Sequence, residues 1–211
     1  MSGRGGSGAG GPARGAAGAG GDRGPNQELA AALRGYLDRA GDDPREAGRV
    51  REVLELDDPW DRSTPLHVTG SAVVVHPATR RVLLRWHDLM RAWLHVGGHA
   101  SPGETSPFAV ALREAREETS LPDLEPWPDP SAPLLVDAVV VPVPEARGMP
   151  AHEHCDLRYL LSTRRPEAAR AEKPSARIRW LTLAEAVEAV GEDNLQITLA
   201  RVAGPLSQRV P

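Results

Sequence analysis

Gly97-Gly98-His99-Ala100-Ser101-Pro102-Gly103-Glu104, followed after eight residues by Arg113-Glu114-Ala115-Arg116-Glu117-Glu118, carries the densest chemical information in this chain of 211 residues. On a helix Glu114 lies three residues from Glu117 and four from Glu118, so the three carboxylates share one face. Like charges that close repel unless a hard divalent cation sits among them. Mg²⁺ or Mn²⁺ suits carboxylate oxygens and keeps positions open for water and phosphate. The glycine pair can bring backbone close to the same ion, because neither residue has a side chain to block it. An isolated Arg-Glu-Ala-Arg-Glu-Glu run reads otherwise as a solvated helix face with internal ion pairs. The upstream glycine turn and Glu104 weigh against that reading.

The segment resembles the Nudix box, G-x5-E-x7-R-E-U-x-E-E-x-G-U with U a bulky aliphatic residue. Gly98, Glu104, Arg113, Glu114, Glu117, Glu118 and Leu121 fall on its positions, with Ala115 at the first aliphatic one. There are two departures: eight residues rather than seven separate Glu104 from Arg113, and Ser120 stands in place of glycine. Ser106-Pro107 reads as N-cap and first helical residue, which puts the extra residue in the loop ahead of the helix and leaves the glutamate face intact. The reach of Glu104 is then the open point. A left-handed Ser120 costs roughly 1–2 kcal/mol, and Pro122 ends the helix.

The resemblance implies a metal-dependent pyrophosphohydrolase acting on a nucleoside diphosphate linked to another moiety, with Mg²⁺ or Mn²⁺ as cofactor. It implies metal ligation by Glu114, Glu117, Glu118 and the Gly97 carbonyl, with Glu117 and Glu118 catalytic. Arg113 would orient the glutamates, and Glu104 would complete the metal site or its surroundings. Glu145, Glu153 and Glu172 are open candidates for a general base. Two alternatives stand beside this reading. One is a catalytically weak Nudix-fold nucleotide-binding or sensor module, which usually lacks the metal glutamates. The other is an isoprenoid diphosphate isomerase, which needs a cysteine ahead of the box, whereas Cys155 follows it. The partner is a small-molecule nucleotide or other diphosphate, and the resemblance is compatible with a homodimer.

Composition bounds the rest. Residues 1–25 contain 11 glycines and almost nothing apolar and bulky, so they cannot offset their ordering entropy and read as a disordered tail. Neither a signal peptide nor a membrane span is evident, and a single cysteine excludes an internal disulfide. A soluble cytoplasmic protein is expected. The net charge of −4 argues against nucleic-acid binding but not against phosphate chemistry, because a bound metal reverses the sign locally.

Residues 26–62 read as a helical N-terminal extension. Leu29, Leu33, Tyr36 and Leu37 recur at helical spacing, and Asp43-Pro44 opens a second helix carrying Val50, Val53, Leu54 and Leu56. Residues 63–211 form the expected Nudix domain. Val68 to Val75 and Arg81 to Trp86 make a hairpin, and Trp93 to Val96 delivers the chain to a turn at Gly97-Gly98. Further strands are expected at 133–143, 156–162 and 177–181. Thr182 with Glu185 forms a capping box, and Asn194 reads as the cap of a terminal helix. Strands around a central helix indicate an α/β sandwich with a mixed sheet, and the resemblance implies the same α/β/α architecture.

A second constellation is His152, His154, Asp156 and Arg158, whose period of two puts all four on one face of a strand. They could bind substrate phosphates together with His99, Arg158 being the anion partner. They could equally form the polar face of an edge strand, or His152, His154 and Asp156 could hold a transition metal. Trp86, Trp93 and Trp180 read as core or pocket wall, and Cys155 as a small buried hydrophobe.

Overall fold

The computed structural model describes residues 26–39, 44–146 and 148–208. The tail at 1–25 and the Asp43 cap lie outside the described residues. The extension forms α1 (Gln27–Arg39) and α2 (Pro44–Glu52), α2 ending in a single 3-10 turn at Val53–Glu55. Then come β1 (Leu66–His76), β2 (Arg81–His87), β3 (Ala92–Leu94), β4 (Val96–His99), α3 (Pro107–Thr119), β5 (Glu125–Pro126), β6 (Leu134–Val143), β7 (His152–Ser162), β8 (Ile178–Thr182), α4 (Leu183–Ala189) and α5 (Asp193–Ser207).

The sheet is mixed. β1 and β7 run parallel at its centre, with His67 opposite His154 and Ser71 opposite Arg158. The other edge of β1 is shared: Thr69 to Ala72 pair with β4, and Val74 to His76 with β2. β8 and β3 flank β2, while β6 and β5 lie on the outer edge of β7. The β-branched run in β1 is buried on both faces, as a central strand covered by helices on each side should be.

Alternation sorts the side chains into two layers. Ala72, Val74 and Val96 pack under Ala115 of α3 with Leu121 and Leu161. Val73, Val75, Val82 and Leu84 pack under Leu195 and Leu199 of α5 on the other face. Leu29, Leu33 and Tyr36 of α1 and Val50 of α2 join a core with Leu135, Leu157 and Tyr159, so the extension buries its apolar stripe on the sheet. Tyr36 also donates to Asp137 at 2.8 Å.

Four local expectations are corrected by packing. Gly97-Gly98 is not a turn but the centre of β4. β7 begins at His152 rather than Asp156, because β1 supplies parallel backbone partners for this polar run. Trp93 to Val96 divides into β3 and β4 at His95. Helix α5 begins at Asp193 with Glu192 as N-cap residue, since the Asn194 carboxamide oxygen accepts Arg158 Nη2 at 2.7 Å and serves the sheet rather than the helix end. Thr182 and Glu185 form the expected reciprocal capping box, and Cys155 is fully buried.

Candidate metal and active site

Helix α3 starts where its cap residue places it. Ser106 Oγ accepts the Ala109 amide at 3.2 Å, and Pro107 is the first helical residue, an arrangement that contributes about 1 kcal/mol. The helix then runs unbroken to Thr119, and Ser120 follows in the left-handed region at φ 56°. The residue beyond motif spacing therefore lies in the loop before the helix, and Glu114, Glu117 and Glu118 keep their common face.

Glycines let the sheet come up to this helix. A Cβ on Gly70 would lie 2.7 Å from the Pro107 carbonyl, and one on Gly98 would lie 2.6 Å from the Glu114 carboxyl carbon. A Cβ on Gly97 would strike Ser71 on the opposite face, 2.1 Å from its hydroxyl. Both glycines are thus required by close approach rather than by chain reversal.

Arg113 gathers the loop and two of the glutamates. Its Nε donates to Glu104 Oε1 at 2.9 Å, and its Nη2 donates to Glu104 Oε2 and to the His99 carbonyl, each at 2.9 Å. Its Nη1 reaches Glu114 at 2.8 Å and Glu117 at 3.0 Å. Glu104 also accepts the Ser101 amide at 2.8 Å. It therefore stands behind Arg113 despite the longer loop, and the Arg113 hydrogen bond holds its carboxyl below the usual range.

Glu118 is the buried member of the set, 9% exposed. Its Oε1 lies 2.8 Å from Arg85 Nη2, and its Oε2 accepts the Gly97 amide at 3.2 Å. Burial pushes its carboxyl up to about 7. Arg85 and the Gly97 amide oppose that rise, while Glu114 and Glu172 add to it. A carboxylate so poorly solvated, beside two more on one helix face, is a donor set that fits a hard divalent cation. The carboxylates turn toward Arg113 and Arg85 here. Among the described residues, the group of three acidic or imidazole ligands whose donor atoms lie within 4.8 Å of one another is instead His67, His152 and His154.

Arg85 was not singled out by the sequence. The available signal was a charge two residues from buried Leu83, within the run Val82 to Trp86, which places it on the α3 face.

The candidate bases separate. Glu145 is exposed, Glu153 is ion-paired with Arg49, and the charge of Glu172 is felt at Glu118.

The second constellation lies on the other face of the sheet. Gly98 faces α3, so His99, its neighbour on β4, faces away from α3. There it meets His67 of β1 and His154 of β7, with Nε2–Nε2 distances of 3.1 and 3.2 Å. His152 Nε2 is 3.1 Å from His154 Nε2. The structure thus brings His99, His152 and His154 together, adds His67, and sets them apart from the glutamates. Burial and the neighbouring rings push His99 down to about 3 and His154 down to about 4, and burial also lowers His67.

Asp156 and Arg158 do not join that group. Asp156 accepts Thr69 at 2.9 Å, Ser71 at 2.6 Å and Arg158 Nε at 2.8 Å, and contacts His95 at 3.0 Å. Burial works to raise its carboxyl, but Arg158 and His95 outweigh burial and hold it well below the usual range. Arg158, 1% exposed, spends its remaining nitrogens on Asn194 and Thr198. The expected anion partner is therefore an interior clamp between β7 and α5, because neighbouring polar groups engage all three of its nitrogens.

Trp86 and Trp93 pack edge to face at 5.5 Å, with Arg177 over both rings. Trp180 Nε1 donates to the Pro166 carbonyl at 3.0 Å. No described helix is long and apolar enough to cross a membrane.

Comparison with known proteins adds the following. The family model described as NUDIX domain matches residues 65–201. Among solved structures, a C. elegans Ap4A hydrolase binary complex superimposes with a TM-score of 0.51 at 17% identity, covering 65% of this chain and 95% of that one. An E. coli dihydroneopterin triphosphate pyrophosphohydrolase gives 0.50 at 17% identity, covering 67% and 95%. At such identities the likeness is one of fold. No curated protein matches the sequence.

Proposed function

The chain belongs to the NUDIX domain family and is a hydrolase of that type; from this premise we propose that it is a Mg²⁺- or Mn²⁺-dependent pyrophosphohydrolase cleaving a nucleoside diphosphate linked to another moiety. The observation that carries the reading is the single α3 face bearing Glu114, Glu117 and buried Glu118 against Gly97 and Gly98. These glutamates, with the Gly97 carbonyl, would hold the metal. When bound, such an ion polarises phosphoryl oxygens and lowers the pKa of an attacking water.

The remaining chemistry belongs to the side chains. Arg113 fixes Glu114 and Glu117 and is itself fixed by Glu104, so Glu104 acts on the site through Arg113. Arg85 and the Gly97 amide hold Glu118 in place. Among the carboxylates outside the box, Glu172 is the one whose charge reaches Glu118, with Lys173 3.6 Å from it at the surface, while Glu153 is ion-paired with Arg49; Glu172 is therefore read as the group that takes a proton from water. Residues 26–62 are read as an extension of the domain at 63–211, supported by the core that α1 and α2 share with β6 and β7.

The test is a substrate panel with and without Mg²⁺ or Mn²⁺. It is headed by Ap4A and dihydroneopterin triphosphate, for which the two fold relatives are named, and continues through sugar nucleotides and nucleoside triphosphates. Metal-dependent release of phosphate or a nucleoside monophosphate is expected, with Glu118→Gln lowering kcat at least 100-fold. Glu172→Gln should lower kcat about 100-fold with little change in KM. Absence of turnover across the panel overturns the proposal.

One observation favours a second reading, a nucleotide sensor: Arg113 and Arg85 already pair with all three glutamates. Calorimetry with ADP-ribose and metal separates the two, since saturable binding without turnover supports the sensor.

A further inference from the structure

We propose that His67, His99, His152 and His154 form a binding site for one transition-metal ion of the Zn²⁺ class, separate from the carboxylate site on α3. The four Nε2 atoms follow one another at 3.1, 3.2 and 3.1 Å in the order His67, His99, His154, His152. Metal–imidazole bonds of about 2.0–2.1 Å around a four-coordinate ion separate adjacent nitrogens by roughly 3.3 Å. Ligand nitrogens of His67, His152 and His154 lie within 4.8 Å of one another, and His99 Nε2 lies beside those of His67 and His154, so three imidazoles face a common point with the fourth next to them.

Proton counting points the same way. His67 Nδ1 lies 3.1 Å from the Thr64 carbonyl, and His152 Nδ1 lies 2.9 Å from the Pro150 carbonyl. Each of these rings thus keeps its proton on Nδ1 and turns a lone pair at Nε2 inward. The two remaining neutral rings can supply at most one Nε2 proton apiece. Three short contacts then share two protons, so one contact has no hydrogen bond under any assignment. A cation at the centre accepts all the inward lone pairs at once. The two carbonyls are the outer partners that ligating histidines ordinarily have, fixing tautomer and ring orientation.

The donor set selects the class of ion. Imidazoles without a carboxylate suit Zn²⁺, Co²⁺, Ni²⁺ or Cu²⁺ and are poor ligands for Mg²⁺. Among charged neighbours, Arg62 opposes a cation, while Asp156 beside His154 and Asp61 beside His67 favour one. An ion here would join β1, β4 and the first turns of β7, and would anchor the strand that carries Gly97 and Gly98 past α3.

The experiment uses the full chain, stripped with a chelator, desalted and titrated with Co²⁺ in excess Mg²⁺ to occupy the carboxylates. Uptake of one equivalent is expected, with visible d–d absorption of low-coordinate, imidazole-ligated cobalt that one equivalent of Zn²⁺ displaces. His152→Asn, at a half-exposed position, and His154→Asn should each weaken Zn²⁺ binding at least tenfold, with circular dichroism checking that both variants fold. Glu118→Gln should bind Co²⁺ as the parent does. No stoichiometric uptake by the parent chain, undiminished uptake by both histidine variants, or loss of uptake in Glu118→Gln would each overturn the proposal. Because metal uptake is read directly, the inference stands or falls independently of hydrolytic activity.

Discussion

Arg85 Nη2 stands 2.8 Å from Glu118 Oε1, with the two side chains 10% and 12% exposed. The pair couples β2 to α3, yet burial still pushes Glu118 up to about 7. Arg85 Nε, also buried, has no hydrogen-bond partner among the described residues. Burial thus disfavours the charged form of Glu118 in spite of the Arg85 contact.

A metal at Glu118 must displace its proton, so the affinity for Mn²⁺ should rise as pH increases from 6 to 8, with proton release at the lower pH. The linkage sign follows. The folded carboxyl titrates near 7 rather than near the ordinary 4.5, so the stability that Glu118 contributes to the metal-free fold is full below 4.5 and is lost as pH rises through about 7. Glu118→Gln should remove that slope, while leaving buried Arg85 without its counter-charge and so lowering stability at every pH. Calorimetry at both pH values and urea unfolding check the two halves; equal Mn²⁺ affinity at pH 6 and 8 refutes the first.

Arg113 bridges Glu104, Glu114, Glu117 and the His99 carbonyl through its fork. Lysine cannot reproduce that geometry. Arg113→Lys is expected to lower kcat/KM by about 10- to 100-fold and to raise the half-saturating Mg²⁺ concentration. A metal titration of activity shows it, and an unchanged half-saturation would place Arg113 outside the metal site.

At Gly70 an added Cβ meets backbone, the Pro107 carbonyl at 2.7 Å and the Ala111 amide at 2.9 Å, whereas at Gly98 it meets the mobile end of Glu114. Gly70→Ala should cost about 1–3 kcal/mol of stability. Gly98→Ala should cost less but weaken metal binding. Denaturant midpoints and Mn²⁺ titration on both variants would reverse the assignment if Gly98→Ala proved the less stable.

Arg158 is enclosed by Asp156, Asn194 and Thr198. Removing one partner of a buried pair costs about 3–5 kcal/mol, so Arg158→Met should unfold at markedly lower denaturant, with unchanged KM where it remains folded. A raised KM with unaltered stability would restore Arg158 to the substrate.

What could be read beforehand had short-range causes. Ser106-Pro107 starts α3 and Thr182 with Glu185 starts α4, since capping acts within one turn. The placement of the extra residue before α3 followed from the same rule. Asn194 shows where local reading stops: its side chain had a cap to fill, but Arg158 from β7 competed for the same oxygen. Gly97-Gly98 had the composition of a turn, whereas Ser71 and the Glu114 carboxyl set the requirement for small residues.

The order and spacing of residues by themselves determined that three glutamates share a face, because helical periodicity is intrinsic to the backbone. They also determined that the fold is an α/β sandwich with a mixed sheet. Only the tertiary structure decided which histidines meet. His67 and His154 are adjacent because β1 and β7 pair in one parallel register, and His99 joins them because β4 pairs antiparallel with β1. A shift of either strand by one residue would turn its histidines to the other face. That register is set by the buried apolar side chains of both layers, distributed over segments far apart in sequence, and no local pattern contains it.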